Sequence, residues 1–418
     1  MGGASRASAR LLDLSRLVSR VGRDGVWTGI DRVEAAYLAH LLGASDPLFG
    51  LVGLSGRFTL LDRAGVAALA DRLTGAVSWG TADLRSRMHL KASAARQAAL
   101  SDLRRLALAQ SGTDGLATML ARYVPEGATW LNTGHSNLAA QVFDAVHAQG
   151  GRAVVLVHDT IPLDYPGYQR PGTVAAFRDK MRTASALADL VVCTSQAARS
   201  DVARHFAGFG RVPEMVVAAL GVVPPRPDRN ALPDGIDLER PRFAVLGTIE
   251  PRKNHALLLD VWEFFAETLP AEAIPALDIV GARGWANEAL FDRLDSSPLM
   301  GVHVFEHGAL PDGAAAALVA AAQGLLMPSL AEGFGLPPAE ALALGTPVIA
   351  TDLPVYREVI GNNPVYLNGS DMYSWGKEIL GIAKGQARRH TAAHRKAIGE
   401  ALTLPTWQAH FDLVFKAL

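Results

Sequence analysis

The chain has 418 residues, 49% hydrophobic and 19% charged, with a formal net charge of −1. That length exceeds one ordinary core and suits two domains, and the near-balanced charge gives no electrostatic case for a nucleic-acid partner. The single cysteine, Cys193, excludes an internal disulfide and a cysteine-rich metal site and fits a reducing cytoplasm.

The N-terminal run "MGGASRASARLLDLSRLV" holds arginines but no long apolar core or clean cleavage pattern, so it does not read as a signal peptide. No stretch reaches the roughly 18 uncharged apolar residues of a membrane span, so the chain is expected to be soluble or at most membrane-associated. "LLDL" (11–14) is the first strand candidate, and "VWTGIDRVEAAYLAHLL" (26–42) then gives a glycine turn at Gly29 into an amphipathic helix. That turn lacks G-x-G-x-x-G and is not a dinucleotide fingerprint. Residues 81–110 carry six Lys/Arg against two Asp, with apolar residues at roughly helical spacing. They predict one long basic amphipathic helix, suited to an anionic membrane surface or to the solvated face of a domain.

"TWLN" (129–132), "AVVLV" (153–157) and "LVVC" (190–193) are further strands of the first half. His135 follows the first of them, His158 and Asp159 the second, in the position where ligand-binding groups gather in parallel sheets. His158 is a candidate hydrogen-bonding or acid/base group. After "LVVC", Ser195 reads as a helix N-cap and Cys193 as a small buried hydrophobe.

Residues 221–242 contain five prolines and no period, as an interdomain linker would. A regular series follows: "RFAVLG" (242–247), "ALDIVG" (276–281), "VHVF" (302–305), "GLLMP" (324–328), "PVIA" (347–350) and "PVYL" (364–367). Helical patterns at 254–269 and 312–323 fall between them, and 404–418 reads as a closing helix. Strands alternating with helices predict parallel sheets of βαβ units, with a ligand cleft at the carboxyl ends of the strands. The expected fold class is α/β: two Rossmann-like domains, 1–225 and 242–403, joined by a linker at 226–241, with a helix at 404–418 capping the assembly.

Two glycine-rich turns in the second half carry chemistry. In "SLAEGFGLPPAEALALG" (329–345), a loop with Glu332 leads into a helix opened by Pro337 and Pro338, with Glu340 in its first turn. Amides of Gly333, Phe334, Gly335 and Leu336 can meet a phosphate or sugar hydroxyls. Glu340 can accept hydrogen bonds from vicinal hydroxyls such as a ribose, and Glu332 from another polyol. In "GTIEPRKNH" (247–255), Arg252 and Lys253 stand at a helix start that Asn254 would cap. Two cations there oppose the helix dipole, which an anionic ligand would explain.

These two segments, with "ATDLPVYREVIG" beyond them, resemble the retaining glycosyltransferases of family 4, which have the GT-B fold. The E-x7-E spacing of Glu332 and Glu340 matches that family's signature. The match is specific over about 242–370 and looser in the first half, where "TGIDRVE" and "HDTIPLDYPGYQRPG" are similar to a bacterial polysaccharide-building subgroup with mannose or rhamnose donors.

The resemblance implies a hexosyltransferase for cell-surface polysaccharide. Its donor would be a GDP- or UDP-linked sugar and its acceptor a saccharide or lipid-linked saccharide. Glu340 would bind ribose, Glu332 the donor sugar, and the amides of 334–336 would lie against sugar and phosphate. Lys253 and Arg252 would neutralise the diphosphate, Gly29 would approach it from the first domain, and His158 would hydrogen-bond the donor sugar. Many relatives carry arginine where this chain has Thr248, so Arg252 is expected to supply that charge. No Asp-x-Asp motif lies at a strand end, so cations are expected in place of a divalent metal, and no cofactor is called for.

Retention by front-face attack is what the family suggests. The expected location is the cytoplasm, with the cytoplasmic face of the inner membrane as a further partner. A nucleotide-sugar-binding scaffold without turnover and another GT-B enzyme, such as a nucleotide-sugar epimerase, are the alternatives.

Overall fold

The computed structural model describes residues 8–22, 27–88, 91–237, 240–385 and 402–418. Two sheets organise them. The first contains β1 (Arg10–Asp13), β2 (Leu48–Leu54), β3 (Arg57–Leu61), β4 (Ala109–Gly112), β5 (Thr129–Asn132), β6 (Arg152–Val157), β7 (Leu190–Cys193) and β8 (Glu214–Val217). Their order is β4-β3-β2-β1-β5-β6-β7-β8, parallel except that β3 runs antiparallel to both β2 and β4. The second sheet contains β9 (Arg242–Leu246), β10 (Ala276–Val280), β11 (Val304–Gly308), β12 (Gly324–Met327), β13 (Val348–Thr351) and β14 (Val365–Leu367). It is wholly parallel, in the order β11-β10-β9-β12-β13-β14. Its central strands are buried on both faces, which is why they read as unbroken apolar runs.

The chain order reverses between β1 and β5 in the first sheet and between β9 and β12 in the second. Such switch points open a crevice at the carboxyl ends of the strands. The two halves meet at those ends. Glu358 of the second half accepts from the Gln196 and Ala197 amides (2.6 and 3.2 Å) at the N-terminus of helix Gln196–Phe209 in the first. That is favourable for a carboxylate at a helix start. Trp285 Nε1 donates to Tyr168 O across the same boundary (2.8 Å).

The proline-rich segment packs on the second half, where Asp228 N donates to Gly313 O (2.9 Å). The closing helix, Trp407–Lys416, lies on the first half. There the His410 Nε2 and the Tyr37 hydroxyl are 2.8 Å apart, and Val222 N donates to Pro405 O (2.9 Å).

The strand β11 begins two residues later than "VHVF" suggests, because residues 299–303 form a turn closed by His303 N to Leu299 O (2.9 Å). The hairpin β2–β3 was not anticipated; Ser55 (φ 50°) and Gly56 (φ 72°) make its two-residue turn.

Residues 81–110 do not form one long helix. Two helices, Leu84–Arg87 and Ala94–Arg105, each start at their own N-cap, Asp83 accepting from Ser86 N and Ser93 from Arg96 N, and β4 follows. Residues 89–90 lie outside the described residues. Two of the arginines are counter-charged within the fold, Arg104 by Asp83 (2.6 Å) and Arg105 by Asp102 (2.7 Å).

Candidate functional site

β9 and β12 are neighbours at the switch point of the second sheet, so the loops that follow them meet. After β9, Gly247 (φ 133°) turns the chain, and a Cβ there would lie 3.2 Å from Lys253 Cε. The glycine is thus needed both for its backbone conformation and for the lysine stem folded over it. A single 3₁₀ turn, Pro251–Lys253, then precedes helix His255–Thr268.

From this turn Lys253 Nζ reaches Glu332 Oε1 (2.5 Å) and Arg252 Nη1 reaches Glu332 Oε2 (3.0 Å). Arg252 also pairs through Nε with Glu250 Oε1 (2.7 Å) and donates from Nη1 to Ala331 O (2.9 Å). The Glu332 side chain is only 8% exposed. Burial alone would raise its pKa, but the charges of Lys253 and Arg252 outweigh that and hold it at about 2. Glu332 is therefore an anion at any working pH, with a cation on each oxygen.

Thr248 stays outside this cluster, its methyl directed at Gly284. Arg252 does stand on Glu332 beside Lys253, so the charge missing at Thr248 is present nearby. Asn254 occupies the cap position of helix His255–Thr268 but does not cap it. Its backbone is left-handed (φ 55°, ψ 39°), and its Nδ2 donates to Pro328 O (3.2 Å) and Gly369 O (2.9 Å). Asn254 ties loops together, and the sequence-based capping role is corrected accordingly.

The loop after Glu332 enters helix Leu336–Ala343 through Gly335 at φ 96°. The first bond into that helix is Ala339 N to Gly335 O (3.4 Å), so the amides before it are those a helix start leaves for a ligand. Glu340 is the fifth residue of the helix, at the beginning of the second turn rather than in the first. Its Oε1 accepts from Arg32 Nη1 of the opposite half (2.8 Å). Gly29, the first residue of helix Gly29–Gly43, faces the same place: a Cβ on it would meet Leu336 Cδ1 at 3.7 Å.

His158 follows β6 and is buried. Burial lowers its pKa to about 4, so the ring is neutral. Its Nε2 lies 2.7 Å from Thr133 O and must carry the proton, since a carbonyl only accepts. Nδ1 is then left with a lone pair, able to accept from a hydroxyl. His135 makes a similar bond from Nε2 to Leu156 O (2.9 Å). A Cβ on Gly333 would lie 2.8 Å from Asp159 Oδ2 and 3.3 Å from His158 O, so glycine is what lets the two halves touch here. Thr194 Oγ1 donates to Gly333 O (3.4 Å) across the same contact. A cavity of about 380 Å³ adjoins it, with Asp159, Asp164 and Arg204 on one wall and Leu330, Glu332 and Pro354 on the other.

The structure thus gathers Glu332, Lys253, Arg252, Gly333 and His158 around one contact, and Glu340, Leu336 and Gly29 around a second. Arg32 and Glu250 were not singled out from the sequence. Arg32 was open to the same reasoning as Arg252 and Lys253, being a cation in the first turn of a glycine-started helix. Ser195 caps its helix, accepting from Ala198 N (3.0 Å), and Cys193 is fully buried, as expected.

Residues 230–392 match the family model described as glycosyl transferases group 1. The C-terminal domain belongs to that family. The serotype-specific mannosyltransferase WbdA of Escherichia coli is 28% identical to this chain over 291 residues, covering 66% of this chain and 34% of that protein. The O-antigen chain mannosyltransferase B of the same organism is 28% identical over 250 residues, covering 58% of this chain and 64% of that protein. The chain thus spans about a third of the length of WbdA. The crystal structure of Anabaena Alr3699/HepE in complex with UDP and glucose aligns with 98% of this chain and 99% of that one, at a TM-score of 0.64 and 16% identity. The fold of the chain is GT-B.

Gly335 offers a direct test of how tightly this loop is built. A Cβ there would sit 2.7 Å from the Tyr356 ring and at positive φ. Gly335→Ala is expected to destabilise the protein by about 1–3 kcal/mol. Urea unfolding of both proteins checks this, and equal midpoints would show that the loop relaxes freely.

Proposed function

We propose that the protein is a retaining hexosyltransferase. It moves mannose or a similar hexose from a nucleoside-diphosphate sugar to a saccharide or lipid-linked saccharide in cell-surface polysaccharide synthesis. The observation that carries this reading is the buried cluster in which Lys253 and Arg252 both hold Glu332 at the carboxyl ends of β9 and β12. The mannosyltransferases similar to it in E. coli favour mannose as the sugar, and the UDP held by the Anabaena neighbour favours a nucleoside-diphosphate donor, GDP- or UDP-linked.

In the ligand-free protein the cations are satisfied by Glu332. An incoming diphosphate takes them over, and Glu332 is released toward the hydroxyls of the sugar next to it. The Phe334–Leu336 amides and Gly29 close on the diphosphate, Glu340 takes the ribose, and the His158 Nδ1 lone pair accepts from a sugar hydroxyl. As the anomeric C–O bond breaks, negative charge grows on the leaving diphosphate. Lys253, Arg252 and the amides are already in place to meet it, which is the largest catalytic term open to such a site. Those cations do the work of a divalent metal, so transfer proceeds without one. The acceptor attacks from the face that the diphosphate leaves, and the anomeric configuration is retained.

The acceptor's lipid would bring the enzyme to the cytoplasmic face of the inner membrane. Among the described residues no helix is long and apolar enough to cross a membrane. The short helix Leu84–Arg87 supports a peripheral contact. Leu84 and Met88 are 82% and 78% exposed, and Arg85, Arg87 and Lys91 are exposed around them. Apolar tips among cations suit an anionic bilayer surface.

The two glutamates should fail differently. Glu340→Gln weakens charge-assisted hydrogen bonds worth about 1.5–3 kcal/mol to a ribose that does not change during reaction. KM for the donor should therefore rise more than kcat falls, and the bare nucleoside diphosphate should weaken equally. Glu332→Gln should lower kcat, and because it removes the anion that competes for Lys253 and Arg252, nucleoside-diphosphate affinity should hold or rise. Kinetics and calorimetry, run throughout with excess chelator, decide. Equal weakening by both variants refutes the division of roles, and turnover that only added magnesium or manganese restores refutes the metal-free reading.

Liposome flotation tests the membrane contact. Recovery with anionic vesicles should exceed that with neutral ones at low salt and fall in a Leu84→Ser, Met88→Ser double variant. Equal recovery on both lipids removes the claim.

A further inference from the structure

We propose that Arg32 is a donor-positioning residue, which holds the Glu340 carboxylate from the opposite domain so that the nucleoside's ribose is recognised only across the closed interface. This rests on the reading that Glu340 takes the ribose.

Arg32 makes two bonds across the boundary, Nη1 to Glu340 Oε1 (2.8 Å) and Nη2 to Asp312 Oδ2 (3.2 Å). The partners lie 308 and 280 residues away in the chain, so these bonds exist only when the domains are together. The Glu340 side chain is 14% exposed and that of Arg32 33%.

The base of Arg32 is firmly set. The preceding residue, Asp31, is fully buried and accepts from Thr28 N (2.8 Å), closing the capping box that starts the helix. Arg16 and Arg20 both pair with Asp31 (2.7 and 3.3 Å), which fastens that helix start to the first domain. At the helix start itself, Gly29 abuts Leu336. An arginine in the first turn opposes the helix dipole, and here the two carboxylates from the other domain offset it.

The chemistry of a ribose explains what Arg32 does. Two vicinal hydroxyls donate two hydrogen bonds and need an ionised carboxylate in a fixed orientation. Arg32 uses one N–H on Oε1, which anchors that oxygen and leaves Oε2 to the ligand. The charged groups facing Glu340 are Arg32 from its helix and Asp312 from helix Asp312–Ala321. Burial pushes the Glu340 pKa up, Asp312 adds to that, and Arg32 opposes both. Without Arg32 the carboxyl titrates at higher pH, and its protonated form can no longer accept both hydroxyls. Recognition of the ribose would then fade as pH falls through that raised value and return as pH rises.

The test reads ribose recognition directly, as the ratio of affinities for a nucleoside diphosphate and its 2′,3′-dideoxy analogue. Calorimetry with GDP and UDP and both dideoxy forms, from about pH 6 to about pH 8.5, covers the range. The ratio cancels the titration of the phosphates. Wild type should prefer the ribose form by on the order of ten- to hundredfold, nearly independent of pH. Arg32→Ala should lose most of that preference at the acid end and regain part of it at the alkaline end. Arg32→Lys, which keeps the charge, should lie close to wild type. An Arg32→Ala ratio equal to wild type at every pH, with Glu340→Gln still abolishing the preference, overturns the role of Arg32 alone. A ratio near one in wild type, or one untouched by Glu340→Gln, overturns the ribose reading and this inference with it.

Discussion

A carboxylate buried at the end of a central strand stays charged only if cations meet it there. Glu332 satisfies that condition with two of them, both supplied by the turn after the neighbouring strand, β9. Much of the arrangement follows. The turn needs Gly247 so that the Lys253 stem can fold over it, and Asn254, in a left-handed conformation, ties that turn to Pro328 and Gly369. The loop needs Gly333 and Gly335 so that Asp159 and the Tyr356 ring can pack against it. A cluster so fully paired is a poor device for stability alone, because desolvating four charged groups offsets much of what their attraction returns. It is well suited to exchanging one anion for another.

The second constraint is that the surroundings of the cluster draw on both halves of the chain. Gly333 rests on the end of β6, Glu358 sits on the start of helix Gln196–Phe209, and Arg32 reaches Glu340. A ligand placed between these contacts touches a switch point in each sheet. In the proposed reading recognition and domain closure are one event, and the surfaces that hold the donor also exclude water from the reacting bond.

Much of the second domain could be read from the sequence because a parallel sheet covered on both faces writes itself as apolar runs, and because two glycine turns with charged residues followed two of them. The first domain was less transparent. β2 contains two glycines within "LFGLVGLSGRFTLL" and both strands alternate weakly, although the Ser55-Gly56 pair is a turn signal. Residues 81–110 kept a helical period across a break, since Asp83 and Ser93 act as caps only when their side chains turn back onto the backbone. Pairing was hidden altogether. Nothing in local pattern brings Arg32 to Glu340 or closes Lys253 on Glu332, because such contacts depend on how two sheets and two domains are set against each other.

The central claim is that the two glutamate loops and the Lys253 turn hold a nucleoside diphosphate and its sugar. Thermal unfolding with a panel of nucleoside diphosphates and sugar nucleotides tests it most directly. A ligand at about 100 times its dissociation constant stabilises by about 2.7 kcal/mol. The account predicts that at least one donor and its nucleoside diphosphate raise the Tm of the wild-type protein, and that Lys253→Ala removes most of the rise. A panel in which no nucleotide shifts the Tm, or in which Lys253→Ala shifts as fully as wild type, would contradict it.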